Sequence, residues 1–294
     1  SVTNLINKSI ENIPTLIKNN NNVIPVKLDT ESILNVQFGN ADGDIFNEYL
    51  NKYGSIRSIK ASDINTNNLN SLLADHKLLL VSFHMKSDTP WENMNKKFSL
   101  KEQDILKTID DHNNKILASF TNPYALSQIN LKSYNSVVVG FQNNQEFQKI
   151  IAQQIFGAKE IKGTLPVSIN DTFKEGDGII LKNLNILSYA DPEMAGVDRK
   201  KLNKIDSLIN FAIENNMTPG AQILVAKNSK IIYDKSFGKL RYDENLQTNP
   251  ETIYDLASLT KILVTTPIIM NPITPELFLT CSSTVGKLTR LART

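Results

Sequence analysis

Residues 78–83 read Leu-Leu-Leu-Val-Ser-Phe, a near-continuous apolar run set between Lys77 and His84. It is far shorter than the ~20 residues that span a bilayer, and it suits a strand buried on both faces of a parallel sheet. Further strand candidates lie at residues 23–28, 33–38, 56–60, 115–121 and 136–141. Between them lie helix candidates at 44–53, 66–75, 100–112 and 144–156. Strands alternating with helices predict an α/β fold, a doubly wound and mainly parallel sheet covered on both faces. Such sheets hold ligands at the carboxyl ends of their strands, which directs attention to the loops at 39–44, 84–98 and 121–126. Ahead of the first strand, Leu5, Ile6, Ile10, Ile13, Leu16 and Ile17 fall near helical spacing. That spacing predicts an amphipathic helix over residues 1–20, kinked or broken at Pro14.

The rule of construction changes near residues 188–196, where Asp191-Pro192 and Gly196 mark a turn-rich joint. Beyond it a helix is expected over 198–215, capped by Asp198, with Leu202, Ile205, Leu208, Ile209 and Ala212 on one face. Two strands at 221–227 and 230–237 follow, joined as a hairpin at Asn228-Ser229. The expected division is therefore one α/β domain over 1–187 and a second, α+β piece over 188–270. Residues 271–294 stand apart: Pro272 and Pro275 interrupt the preceding helix, and the richness in Asn, Asp and Glu stops. We read this tail as foreign to the fold, as a shifted reading frame would produce. The sequence opens on Ser1, and we expect it to begin inside a longer protein.

Composition narrows the function classes. A net charge of +2 supplies no field for nucleic acid or an anionic membrane surface. Cys281 is the only cysteine, so no intrachain disulfide can form. His76, His84 and His112 have no metal-ligand spacing and read as surface or loop histidines. The segment Gly39-Asn40-Ala41-Asp42-Gly43 follows a strand but lacks both the G-x-G-x-x-G pattern and a P-loop lysine. No metal or cofactor is expected.

Two ordered signatures lie in the first region. Phe120-Thr121-Asn122-Pro123-Tyr124-Ala125-Leu126 follows a strand. Further on come Gln153-Gln154-Ile155-Phe156-Gly157 and then Gly163-Thr164-Leu165-Pro166-Val167-Ser168. Gly157 suits a helix C-cap, and residues 165–169 suit a short closing strand. Together these resemble the carboxy-terminal domain of glycoside hydrolase family 3. The resemblance implies that the sugar is cleaved on a β/α barrel preceding this domain, which carries the nucleophilic aspartate. The implied partner is thus a carbohydrate or cell-wall substrate reached through that barrel. Some members place an acid/base glutamate on the second domain, and Glu92 is the candidate here, beside Trp91 as a stacking platform. The β-N-acetylglucosaminidase branch keeps its acid/base on the barrel instead.

The second region carries Met217-Thr218-Pro219-Gly220-Ala221, then the hairpin, then Thr252-Ile253-Tyr254-Asp255-Leu256-Ala257-Ser258-Leu259-Thr260-Lys261. Positions i and i+3 share a helical face, so Lys261 can approach the Ser258 hydroxyl and activate it for acyl transfer. A second S-x-x-K, Ser236 to Lys239, sits at a strand end with a glycine inside and lacks that context. The ordered pattern resembles the opening of a class C β-lactamase-like serine hydrolase, which implies Ser258 as nucleophile and Lys261 as base. That family's Tyr-x-Asn loop and late Lys-Thr-Gly strand are missing, and Lys261 lies 33 residues from the end of the 294-residue sequence. The two resemblances in this order imply a piece of a bifunctional, exported bacterial hydrolase, periplasmic or extracellular, inactive as this chain alone. The alternative is a carbohydrate-binding or scaffold domain without chemistry of its own.

Overall fold

The computed structural model describes residues 9–30, 32–86 and 98–270. Compact packing divides it into two units. One comprises residues up to 211 together with 223–235, the other 212–222 together with the residues from 236 on.

The first unit is built on a six-stranded sheet. Its strands are β1 (Thr15–Asn19), β2 (Ile33–Gly39), β3 (Ile56–Lys60), β4 (Leu78–His84), β5 (Lys115–Phe120) and β6 (Ser136–Val139). They lie in the order β1-β6-β5-β4-β2-β3. Every pairing is parallel except β1 with β6. Three helices connect strands, α1 (Asp44–Asn51), α2 (Leu69–Ala74) and α3 (Leu100–Asp110), and a fourth, α4 (Gln145–Ile155), follows β6. β4 is buried along its whole length, as its unbroken apolar run requires. Alternate residues feed two cores. Leu34, Val36, Leu79, Val81, Leu117 and Val137 pack with α2 and α3, whereas Ile33, Leu80, Ile116, Ala118 and Val138 pack with α1 and α4. Each fully buried Leu, Ile or Val stabilises by about 1.5–3 kcal/mol.

Three sequence expectations give way. The helix over 1–20 is, in its described part, a strand from Thr15 onward. Leu16 enters one core and Ile17 the other, which a strand allows and a one-faced helix does not. The expected strand at 23–28 is an irregular segment: Ile24 and Val26 are buried, but the Val26 N–H bonds to Ile155 O at the end of α4 and Pro25 has no donor to offer. The expected closing strand at 165–169 is likewise a packed loop. Leu165 N–H bonds to Asp177 O and Ile169 N–H to Phe173 O, so neither joins the sheet.

Further on, β7 (Ser188–Tyr189), α5 (Arg199–Glu214), β8 (Gly220–Lys227) and β9 (Lys230–Gly238) follow, with β9 between β7 and β8. Asn228 and Ser229 both have positive φ, 52° and 57°, the signature of a type I′ hairpin turn. Among the described residues no helix is long and apolar enough to cross a membrane.

Candidate functional site

The parallel strands point their carboxyl ends at one set of loops, and the chain reverses direction across the sheet between β2 and β4. Ligands of doubly wound sheets collect at such reversals. Gly39 ends β2 at φ 105°, and a Cβ there would lie 2.1 Å from His84 O, so the close approach of the two strand ends requires glycine. The loop then returns to the sheet through an Ala41 N–H bond to His84 O of 3.1 Å.

His84 closes β4 and is 1% exposed, which corrects its reading as a surface or loop histidine. Its ring stacks on Phe120 with centroids 4.6 Å apart. Nδ1 meets Asn143 Oδ1 at 2.9 Å. Gln148 also donates to that oxygen at 2.9 Å, so the oxygen is an acceptor and Nδ1 carries the proton. Nε2 is left as a sealed lone pair with no partner among the described residues. Burial holds the imidazole pKa down at about 4, against the Asn143 hydrogen bond and the Asp42 charge that pull it up. Gln148 ties the cluster together, accepting from Phe46 N–H at 2.9 Å and donating to Asp42 O at 2.8 Å. Alongside it, Asn47 Oδ1 accepts from Asn35, Gln37 and Ser58 at 2.8–2.9 Å. This polar stripe runs under α1 and fixes the loop at 39–43.

Beside it, a cavity of about 330 Å³ opens over the ends of β4, β5 and β6. Its wall combines Asn122, Pro123 and Tyr124 with Pro166 and Val167. The two signatures of the first region, some forty residues apart in sequence, therefore meet on one surface. Asn122 accepts from Tyr124 N–H at 3.0 Å and so caps the short 3-10 helix that carries the tyrosine. Phe141, also on the wall, holds φ 67°, an outlying conformation for a bulky residue that marks a position fixed by its surroundings. Lys86 and Gln142 supply polar groups, and among the described residues no carboxylate lines the cavity. Trp91 and Glu92 lie outside the described residues.

Ser258 and Lys261 belong to the second unit. Lys261 Nζ donates to Ser258 Oγ at 3.1 Å, and both side chains are exposed. The turn entering the helix is tight: Ala257 adopts φ 42°, and its N–H bonds to Asp255 Oδ1 at 2.8 Å. The helix is not regular. Residues Lys261–Thr265 form a π turn in which Thr266 N–H reaches Lys261 O, before α6 (Thr266–Met270) resumes. Pro267 has no N–H to bond Leu263 O, which accounts for the slip in the ladder. In the other S-x-x-K, Lys239 Nζ bonds to Asn245 Oδ1 at 2.8 Å.

No family model matches the chain. It is similar over 58 residues, at 36% identity, to Protein flp of Staphylococcus aureus, covering 20% of this chain and 12% of that protein. It is 32% identical over 87 residues to a putative D-alanyl-D-alanine carboxypeptidase of Salmonella enteritidis PT4, covering 27% of this chain and 20% of that protein. The chain thus spans between about an eighth and a fifth of the length of these curated relatives. Among solved structures, similarity is found to the β-glucoside phosphorylase BglX bound to 2FGlc, at 18% identity and TM-score 0.45, covering 55% of this chain and 31% of that one. A glycoside hydrolase family 3 β-N-acetylglucosaminidase from Paenibacillus sp. str. FPU-7 is similar at 15% identity and TM-score 0.43, covering 57% and 32%.

Sequence reasoning reached the cavity wall through its two motifs but missed the His84–Asn143–Gln148 cluster. The only local signal was a histidine ending the most apolar strand; its partners come from a helix and loop about sixty residues away. Among the described residues no group of His, Cys, Asp and Glu is placed to hold a metal ion.

Proposed function

We propose that residues 1–187 form the sugar-handling second domain of a β-N-acetylhexosaminidase-like glycoside hydrolase, and that residues 188–270 open a β-lactamase-like serine hydrolase domain of the same exported protein. Residues 271–294 are an atypical tail. The observation that carries the first part is the meeting of Asn122-Pro123-Tyr124 and Pro166-Val167 on one cavity at the carboxyl end of the sheet. Glycosidic cleavage needs two carboxyl groups flanking one bond, and the described residues of this wall supply none. In this reading the domain binds or shapes the sugar while bond cleavage takes place on a preceding barrel; without one, the same cavity makes it a carbohydrate-binding domain. Titrating the full chain with N-acetylglucosamine, followed by amide NMR shifts, tests this. Saturable shifts at Tyr124, Phe141 and Gln142 that vanish in Tyr124→Ala are expected. Their absence at tens of millimolar sugar sinks the reading.

The Lys261–Ser258 hydrogen bond supports the second part, because an ammonium or amine in that place can exchange the hydroxyl proton during acyl transfer. Activation, oxyanion binding and substrate orientation act as a unit. With two of the family's three motifs missing, hydrolysis of a chromogenic ester or β-lactam is expected at the background of Ser258→Ala. A serine-dependent rate well above that background overturns the inactive reading.

A further inference from the structure

A second cavity, of about 400 Å³, lies at the carboxyl ends of β2 and β3. Its lining is mostly polar. Asn40, Asp42 and Asp44 come from the chain between β2 and α1, Lys60 and Ser62 from the end of β3 and the turn after it, and Glu102 from α3. Gln37 also lines it, although only 8% exposed. The Gln37 backbone is locked into the sheet, opposite Lys60 of β3 and Ser82 of β4, so the surface left open is at the end of its side chain. Nε2 donates to Asn47 Oδ1 at 2.9 Å, and that oxygen also accepts from Asn35 at 2.9 Å. Gln37 therefore presents its amide nitrogen to Asn47 and leaves Oε1 unbonded. This oxygen has no hydrogen-bond partner among the described residues, and unlike His84 Nε2 it is not sealed from solvent. Nearly every buried polar group makes a hydrogen bond, and this one can make its bond only to something in the cavity.

The charges say what kind of donor fits. Asp42, Asp44 and Glu102 stand against Lys60, so the described lining carries −3 + 1 = −2. Glu102 is committed to the start of α3, where Oε2 accepts from Ser99 N–H at 2.9 Å and Ser99 Oγ at 2.8 Å. Asp42 uses one oxygen on the Asp44 N–H at 2.7 Å. The Asp44 carboxylate has no partner among the described residues. These acids are not placed to share a metal ion, and the cavity has the size of a small-molecule site. A primary ammonium offers such a set of acceptors three N–H donors and a positive charge.

We propose that this cavity binds a small hydroxylated primary amine, whose ammonium donates to Gln37 Oε1 and to the carboxylates of Asp42 and Asp44. Asn40, Lys60 and Ser62 suit the hydroxyls. The site is separate from the cavity over β4, β5 and β6 and does not depend on the sugar reading of that cavity.

Glucosamine is the probe and glucose its neutral counterpart, the two differing by one ammonium in place of a hydroxyl. Glucosamine is added to the full chain at about pH 6, where such an amine is protonated, and amide NMR shifts are followed. Saturable changes centred on Gln37, Asp44 and Ser62 are expected, with glucosamine bound about 10-fold more tightly than glucose. Asp42→Asn keeps the oxygen that accepts from Asp44 N–H; combined with Asp44→Asn it removes both charges and should weaken binding about 10-fold. Gln37→Met removes the buried acceptor at similar side-chain length and should weaken binding about 5-fold. Four results each overturn the proposal: no saturable shift at tens of millimolar glucosamine, a response confined to Tyr124 and Phe141, equal affinity for glucose, or undiminished affinity in the doubly substituted protein or in Gln37→Met.

Discussion

His84 is neutral in the fold and easily protonated out of it. Its pKa is about 4 when buried, against an ordinary value of 6.5. Between those values the unfolded chain binds a proton that the folded chain does not, so stability rises with pH through this window. The contribution is fully present above pH 6.5 and is lost as pH falls toward 4, amounting to about 3 kcal/mol at the low end. Urea midpoints measured between pH 7 and 5 should fall with acidity, and the slope should be smaller in His84→Gln. Gly43 faces the same ring: a Cβ there would stand 2.6 Å from His84 Nε2. The ring cannot swing away, being stacked on Phe120 and bonded to Asn143. Gly43→Ala should therefore cost about 1–3 kcal/mol in chemical denaturation. Neither effect is visible from spacing, because the residues involved are joined by the fold and not by a motif. Tyr124 and Pro166, by contrast, sit within recognisable strings and were legible.

Element by element, what could be read followed from period and burial. β2, β4, β5 and β6 were legible because a strand buried on both faces is an apolar run with no competing helical interpretation; β3 was also read as a strand, although only Ile56 of it is buried. β1 was not, since Ile13, Leu16 and Ile17 mimic helical spacing and only the pairing with β6 exposes the alternation. Residues 165–169 misled for the opposite reason: their composition suits a strand, but their backbone groups bond to residues 173–177 instead of a neighbouring strand. The end of α4 was legible through Gly157, which takes φ 73°. Its N–H bonds to Gln154 O and that of Ala158 to Gln153 O, a complete Schellman closure. A Cβ on Gly157 would meet Pro25 Cβ at 2.9 Å. Gly157→Ala should thus lower the thermal midpoint, by the equivalent of about 1–2 kcal/mol from the backbone alone. Ser229→Gly in the type I′ turn should act in the other direction, raising stability by about 1 kcal/mol in the same measurement.

For the molecule as a whole, β8 is the exposed margin. Among the described residues it ends its sheet, and residues 221–226 read Ala-Gln-Ile-Leu-Val-Ala, uncharged and free of proline. Leu224 is 54% exposed. Such an edge is a template for further strands. Sedimentation velocity should show association that grows with concentration, and Leu224→Lys should suppress it; a monomer at every concentration tested would remove β8 as a point of contact.

The antiparallel pairing of β1 with β6, Thr15 against Val139, has a consequence for biosynthesis. A ribosome adding roughly 5–20 residues per second needs on the order of ten seconds to travel from one partner to the other. During that interval Leu16 and Ile17 have no strand to lie against. The nascent chain must wait with its first strand unmatched until its sixth emerges, and that waiting period is when a chaperone would find it.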